Sequence, residues 1–429
     1  MANSTPKYYL KTYGCQMNLA DSERIAGWYE GKGWRKAKKI QEADEVVIVS
    51  CSVRQSADNR VFGLVNNLIK FKNLKAKVKK TTEKSKVPEP RIILTGCMLR
   101  YPRWWLEKKL PGVAEFKKVS EYPRKTKSKR HNPAIHAYNR FAKTPHFSAG
   151  DEPARHRLRH QALAGGPARH RLRHQVLAGG GKARFQASTE AYIPIMEGCN
   201  NYCSYCVVPY ARGRERSRPF EEIFGEVEEL AKRGYEEITL LGQNVNSYGK
   251  DINNFKSISK GLNSKIKYET PFAILLERLH QIPGIEKISF LTSNPWDLDL
   301  EIIEAMSLPK IDRYLHLPVQ SGDDEILKKM NRKYSVRQYV ELVGKIRKRI
   351  PDIRIGTDII VGFPGETEEQ FQNTVDLCKK LGFTKAYIAR YSPRLQTAAY
   401  MFKDNVPYEE KKRRWQILEE LINENKGIF

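Results

Sequence analysis

The chain has no apolar run approaching the roughly 18 residues that a membrane-spanning helix needs. Its opening, Met1-Ala2-Asn3-Ser4-Thr5-Pro6, has neither the basic stretch nor the apolar core of a secretory signal. A cytoplasmic protein without membrane contact is expected. Acidic residues are also scarce: Asp and Glu total 49 against 76 Lys and Arg, an excess of 27 positive charges. A field of that sign favours a polyanionic partner, nucleic acid first. Cysteines are few and odd in number, seven in all, which suits free or metal-bound thiols in a reducing compartment better than a disulfide framework. With 429 residues of which 40% are hydrophobic, the chain can build two or three domains with cores of their own.

Six of the cysteines fall into two sets of three. Cys199, Cys203 and Cys206 form one compact run, whereas Cys15, Cys51 and Cys97 are widely separated, each just beyond a short β-type stretch. Three thiolates can hold a four-iron cluster by three irons and leave the fourth open, so two such sets suggest two clusters with a free coordination position each. Structural zinc is the competing reading of the compact set. It wants four ligands, and the first histidine downstream is the distant His280. Iron and sulfur are therefore favoured.

The periodicity predicts strands over Tyr8–Tyr13, Val46–Ser50 and Ile92–Thr95, alternating with helices over Leu19–Lys32, Ser56–Phe71 and Trp104–Lys109. Such alternation implies a parallel sheet, and Cys15, Cys51 and Cys97 would all lie at the carboxyl edge of its strands, where sites form in open α/β sheets. Alternation resumes at Ala191. Strands are expected over Ala191–Met196, Glu237–Leu241, Lys287–Leu291, Tyr314–Pro318, Arg354–Val361 and Lys385–Tyr391, with helices over Pro219–Arg233, Ala273–Gln281, Asp323–Met330, Val336–Arg349 and Glu368–Leu381. Six such units fit a partial barrel better than a flat sheet. The expected fold is thus α/β, an N-terminal parallel-sheet domain (1–120) followed by a partial (β/α)6 barrel (188–407) and a C-terminal helix (408–429). Between the two domains, 121–187 reads as a basic linker carrying a tandem repeat over 153–180. Its six arginines account for only 6 of the 27 excess charges, so the argument for nucleic acid does not depend on it. Cys378 falls on the apolar face of its helix and reads as core.

The compact set has the Cys-x3-Cys-x2-Cys spacing of the radical S-adenosylmethionine superfamily, placed after the first barrel strand. Further motifs run the length of the chain outside the linker: Tyr13-Gly14-Cys15-Gln16-Met17-Asn18; Ser50-Cys51-Ser52-Val53-Arg54 with Ala57 and Arg60; Leu94-Thr95-Gly96-Cys97-Met98; Pro209-Tyr210 leading to Arg212-Gly213-Arg214-Glu215; Leu241-Gly242-Gln243-Asn244-Val245-Asn246; His316-Leu317-Pro318; and Gly356-Thr357-Asp358 through Gly362-Phe363-Pro364-Gly365-Glu366-Thr367. Together they resemble the methylthiotransferases of that superfamily. Val53-Arg54 with Ala57 and Arg60 is closer to the branch acting on tRNA than to the branch acting on a ribosomal protein.

The resemblance implies an enzyme that inserts a methylthio group at carbon 2 of isopentenyladenosine 37, using two molecules of S-adenosylmethionine and two 4Fe–4S clusters. Cys199, Cys203 and Cys206 would hold the catalytic cluster, and Cys15, Cys51 and Cys97 the auxiliary one. Gly242, Gln243 and Asn244 together with Gly362, Gly365 and Glu366 would help to seat S-adenosylmethionine. The implied partners are the anticodon loop of tRNA, an electron donor of the flavodoxin or ferredoxin type and a sulfur-donor system, with the protein a monomer. Arg212, Arg214, Arg216 and Arg218 could line the site or form a solvated basic strand. Threonylcarbamoyladenosine or a ribosomal protein as substrate would use the same cysteines, and a non-catalytic RNA-binding metalloprotein is the alternative of another class. The sequence departs from the family pattern in three places. It ends within the helix that leads to an expected β-rich RNA-binding domain, absent or truncated. It also has Gln396 where a glycine is expected before Thr397, and Asn294 where histidine is common.

Overall fold

The computed structural model describes residues 5–52, 55–79, 90–123, 190–252 and 267–424. The repeat, most of the basic linker, and Val53 and Arg54 lie outside them. Among the described residues no helix is long and apolar enough to cross a membrane.

The N-terminal part is a five-stranded, wholly parallel sheet made of β1 (Lys7–Thr12), β2 (Arg35–Lys36), β3 (Glu45–Ser50), β4 (Arg91–Gly96) and β5 (Glu115–Phe116), in the order β2-β1-β3-β4-β5. The run Val46-Val47-Ile48-Val49 is buried throughout because both faces of β3 are covered, as parallel sheets require. Val46 and Ile48 pack with Val61 and Val65 of α2 (Gln55–Lys79) and Leu106 of α3 (Arg103–Lys109). Val47 and Val49 turn the other way, against Ile25, Ala26 and Tyr29 of α1 (Gln16–Glu30). The helix α1 begins three residues earlier than its apolar periodicity suggests, since Cys15 is its N-cap. The edge strands β2 and β5, two residues each, carry no periodic signal.

The second part contains six parallel strands in chain order. They are β6 (Glu190–Pro194), β9 (Glu237–Leu241), β10 (Lys287–Phe290), β11 (Tyr314–His316), β12 (Arg354–Val361) and β13 (Lys385–Arg390). Pairing joins β6, β9 and β10, then β11, β12 and β13, and a parallel bridge between Ile288 and Ile311 connects the two groups. The result is the partial six-unit barrel that the alternation implies. Between β6 and β9 a two-residue ribbon pairs β7 (Met196–Glu197) with β8 (Arg216–Ser217) antiparallel, so the expected strand over Ala191–Met196 breaks at Ile195. Helices α5 (Phe220–Lys232), α6 (Pro271–His280), α7 (Leu300–Met306), α8 (Asp324–Lys329), α9 (Val336–Arg349) and α10 (Glu368–Leu381) cover the strands. The helix α7, with only seven residues and Leu300 exposed, is absent from the periodicity reading. Cys378 of α10 is in the barrel core. The last helix, α11 (Tyr408–Glu419), lies against β13.

Several contacts join the parts. Asp58 of α2 is buried and faces Arg394 at 3.4 Å, while Arg100 donates to the Leu395 carbonyl at 2.7 Å and to Ser52 Oγ at 3.0 Å. Gln396, with φ of 72°, occupies the left-handed region where glycine is favoured. Its amide donates to the Arg100 carbonyl at 3.0 Å, an interaction glycine could not make and one that offsets the strain.

A further contact brings α1 toward α5. Burial, aided by the Glu226 carboxylate of α5 and opposed by Lys36, pushes the Glu23 carboxyl up to about 7. A folded-state pKa above the ordinary 4.5 gives stability that is complete below pH 4.5 and is lost as pH rises through about 7. The urea midpoint should therefore fall across that window, and Glu23→Gln should flatten the fall. An unaltered pH slope in the variant would remove Glu23 as its source.

Candidate active site between two cysteine trios

The N-terminal trio is assembled by strand register. Ser50 pairs with Gly96, so Cys51 and Cys97 leave neighbouring strands side by side. Cys15 follows β1 by three residues, and the Asn18 amide ties its turn to β3 by donating to the Ser50 carbonyl at 2.8 Å. The Cys15 thiol lies 3.4 Å from Asn18 Oδ1. Gly14, with φ of 124°, lets this loop press on its neighbour: a Cβ there would stand 3.1 Å from Cys51 Sγ. Cys15 is exposed, whereas Cys51 and Cys97 are buried.

The compact trio is held by backbone bonds from several barrel loops. Gly198 N–H donates to Gln243 Oε1 at 2.6 Å, Cys199 N–H to the Gly213 carbonyl at 3.1 Å, and Ser204 N–H to the Met330 carbonyl at 3.0 Å. Gly198, with φ of 83°, packs so closely on Arg214 that a side chain would strike its carbonyl. Arg332 donates to Cys203 Sγ at 3.4 Å and to the Pro318 carbonyl at 2.8 Å, with its guanidinium over the Trp296 ring. Burial pushes the Cys199 and Cys206 thiols up to about 12, and burial raises Cys97 as well, against the pull of the Arg212 cation. Without metal these thiols stay protonated at neutral pH, so loading a cluster must displace protons.

The segment that follows the compact trio packs on the N-terminal one. From Cys206 the chain runs directly into α4 (Val208–Arg212), and α4 packs on the turn Cys97–Arg100 that carries the last cysteine of the other trio. Arg212 at its end donates to Asp21 at 2.9 Å and to Asn18 Oδ1 at 3.2 Å, both on α1. The next three arginines in the alternating run behave differently: Arg214 is exposed, Arg216 pairs with Glu197 on the surface, and Arg218 pairs with Glu226 at 2.7 Å.

The residues expected to seat S-adenosylmethionine lie at the same carboxyl edge of the barrel. Gly242, Gln243 and Asn244 follow β9, with Gln243 engaged by the cysteine loop. Asn244 is buried in a network with Ser247, Asp297 and Asn294, whose amide donates to Asn244 Oδ1 at 2.6 Å. Asparagine at 294 thus serves that network directly. Asp297 is pushed up by burial but held below the usual carboxylate range overall by bonds from Lys250, Ser247 and Asn294. Gly362, Gly365 and Glu366 follow β12. Glu366 is buried with its carboxylate turned inward, accepting from Gly362 N–H at 2.6 Å and Arg414 at 2.7 Å, so it shapes the loop from behind. Asp21, Asp297 and Arg332 carry no spacing signal in the sequence and are placed only by folding.

Among the described residues no three His, Cys, Asp or Glu side chains close tightly enough to ligate one ion. A zinc ion would draw thiolates to within about 2.3 Å. Thiols at the corners of a cubane each bind a different iron and stand further apart. The chemistry of three thiols per set, with Cys51 and Cys97 just beyond adjacent paired strands, suits such a group.

Two family patterns match the chain, the Radical SAM superfamily over residues 193–378 and the uncharacterized protein family UPF0004 over residues 7–116. The tRNA-2-methylthio-N(6)-dimethylallyladenosine synthase of Acetivibrio thermocellus is 39% identical over 97% of this chain and 76% of its own length. The protein of that name from Caldicellulosiruptor saccharolyticus is 40% identical over 97% of this chain and 78% of its own. Among solved structures, the radical S-adenosylmethionine methyltransferase TsrM from Kitasatospora setae, with tryptophan and a S-adenosylmethionine analogue bound, superposes with a TM-score of 0.52 at 14% identity, over 90% of this chain and 73% of that one, a likeness of fold. The chain belongs to the tRNA-2-methylthio-N(6)-dimethylallyladenosine synthase family of radical S-adenosylmethionine methylthiotransferases, enzymes that carry two 4Fe–4S clusters and use S-adenosylmethionine.

Proposed function

We propose that the protein inserts a methylthio group at carbon 2 of isopentenyladenosine 37 of tRNA. Cys199, Cys203 and Cys206 hold the cluster that engages S-adenosylmethionine, and Cys15, Cys51 and Cys97 hold the auxiliary cluster. The observation that carries this reading is the packing of α4, which follows Cys206, on the turn that begins with Cys97. When bound, the clusters and S-adenosylmethionine supply the radical, sulfur and methyl chemistry that no side-chain acid or base can bring to an unactivated aromatic C–H.

The chain's own residues bind and orient. Gly242, Gln243 and Asn244 on one side of the barrel mouth and the Gly362–Glu366 loop on the other seat S-adenosylmethionine, while Gln243 also fixes the cysteine loop through Gly198 N–H. Arg332 holds a cation against Cys203. The target adenosine reaches the barrel mouth because an anticodon loop is single-stranded and its bases can be splayed out. The excess of 27 positive charges supplies the salt-sensitive phosphate attraction. In this reading the protein works as a cytoplasmic monomer, with a flavodoxin- or ferredoxin-type reductant and a separate source of sulfur.

The test is anaerobic incubation of the reconstituted protein with S-adenosylmethionine, a low-potential reductant, sulfide and tRNA carrying isopentenyladenosine, followed by mass spectrometry of the nucleosides. The expected product is methylthio-isopentenyladenosine. Product only from tRNA carrying threonylcarbamoyladenosine, or from neither tRNA, would overturn the assignment.

A further inference from the structure

We infer that Arg212 is an electrostatic positioning residue for the N-terminal trio, its guanidinium setting the reduction potential of the cluster that Cys15, Cys51 and Cys97 hold. The inference rests on the proposed function for the identity of that cluster.

Three thiolates bring negative charge into a pocket where Cys51 and Cys97 are only 3% and 4% exposed. In such a medium a fixed charge acts strongly, because water does not screen it. The Arg212 side chain is itself 10% exposed, and the negative groups around it are Cys97, Asp21 and Cys15. It is locked by the Asp21 carboxylate at 2.9 Å and by Asn18 Oδ1 at 3.2 Å, and Asn18 also meets the Cys15 thiol. Arg100 also keeps its charge near Cys97, but it donates to Ser52, Tyr101 and the Leu395 carbonyl, with Asp58 beside it, whereas Arg212 is the cation that acts most on the Cys97 thiol. A cation beside a cluster favours the reduced state, which carries one more negative charge. Arg212 is also six residues beyond Cys206. The same short segment that carries one trio therefore delivers the cation that tunes the other.

The experiment is an EPR-monitored redox titration of the reconstituted full chain, with the Cys199→Ala, Cys203→Ala, Cys206→Ala triple variant used to assign the N-terminal signal. Arg212→Gln removes the cation and leaves Asp21 uncompensated, so the reduction equilibrium should fall at least tenfold, which is 59 mV for a one-electron couple. Arg212→Lys should stay near the parent value, and Asp21→Asn should shift the potential in the opposite direction. These opposed signs separate charge from scaffolding, because a merely structural loss would move both variants the same way. An unchanged potential in Arg212→Gln with iron still loaded, or an equal fall in Arg212→Lys, overturns the inference. If the triple variant binds no iron, the cluster assignment fails instead, and the inference with it. Should Arg212→Gln not load, the Arg212→Lys and Asp21→Asn pair decides.

Discussion

Cys203→Ala is expected to abolish reductive cleavage of S-adenosylmethionine, whereas Cys51→Ala should leave cleavage intact and stop the methylthiolated product. The asymmetry follows from placement. Cys203 belongs to the loop that shares bonds with Gln243, Gly213 and Met330 at the barrel mouth, beside the residues proposed to seat S-adenosylmethionine. Cys51 belongs to the other sheet, at the end of β3. Neither substitution opens a large cavity, since a thiol is exchanged for a methyl-sized group, so a folding defect is not the expected cause of either loss. Iron content gives an independent readout: about eight irons per intact chain should fall to about four in either variant. Liquid chromatography of 5′-deoxyadenosine measures cleavage, and nucleoside mass spectrometry measures product. Cleavage at full rate in Cys203→Ala would refute the division of roles, as would loss of cleavage in a Cys51→Ala protein that still holds four irons.

The second large effect is expected at Glu366, far from either trio in sequence. Its side chain is 1% exposed and that of Arg414 5% exposed, with 2.7 Å between them. Removing one partner of a buried ion pair strands the other charge, a loss of about 3–5 kcal/mol. Glu366→Ala should fall near the lower end, because Glu410 at 2.6 Å and Glu368 at 3.5 Å still face Arg414. The variant also leaves Gly362 N–H without its acceptor, which should loosen the loop and raise the KM for S-adenosylmethionine more than it lowers kcat. Glu366→Gln keeps an acceptor oxygen and should lose less on both counts. Urea unfolding and steady-state kinetics check the two parts separately. An unchanged unfolding midpoint in Glu366→Ala would show that the pair is not holding α11 to the loop.

Both expectations depend on residues whose significance differs in how it could be read. The cysteines are legible because a cluster needs a fixed number of thiols at a fixed reach, and the run from Cys199 to Cys206 states that locally. Glu366 belongs to a recognisable motif, yet its role is not legible there. Only the approach of Arg414, 48 residues downstream, turns its carboxylate inward. Arg212 illustrates the same limit. The sequence sets it in an alternating basic run with Arg214, Arg216 and Arg218, and nothing local separates a largely covered strut from the exposed Arg214 and from the pairs of Arg216 and Arg218 with Glu197 and Glu226.

Elements are legible where the signal is local and strong. The β-branched run of β3, the capping boxes Ser335 to Gln338 and Thr367 to Gln370, and the apolar periodicity of α9 and α10 state their conformations within a few residues. The two-residue strands, the short helices α4 and α7, and the break at Ile195 depend on partners from other segments, because so few residues cannot hold a conformation by themselves. The sequence by itself determined the fold class, the order of strands and helices, and the two sets of thiols, since each is written in spacing and composition along the chain. The tertiary structure alone decided that α4, which follows one set, packs on the turn of the other, that Arg212 and Asp21 stand beside the N-terminal set, and that Glu366 points inward. Those are distances between residues far apart in sequence, and they exist only once strand register and the packing of apolar faces have fixed where each segment lies.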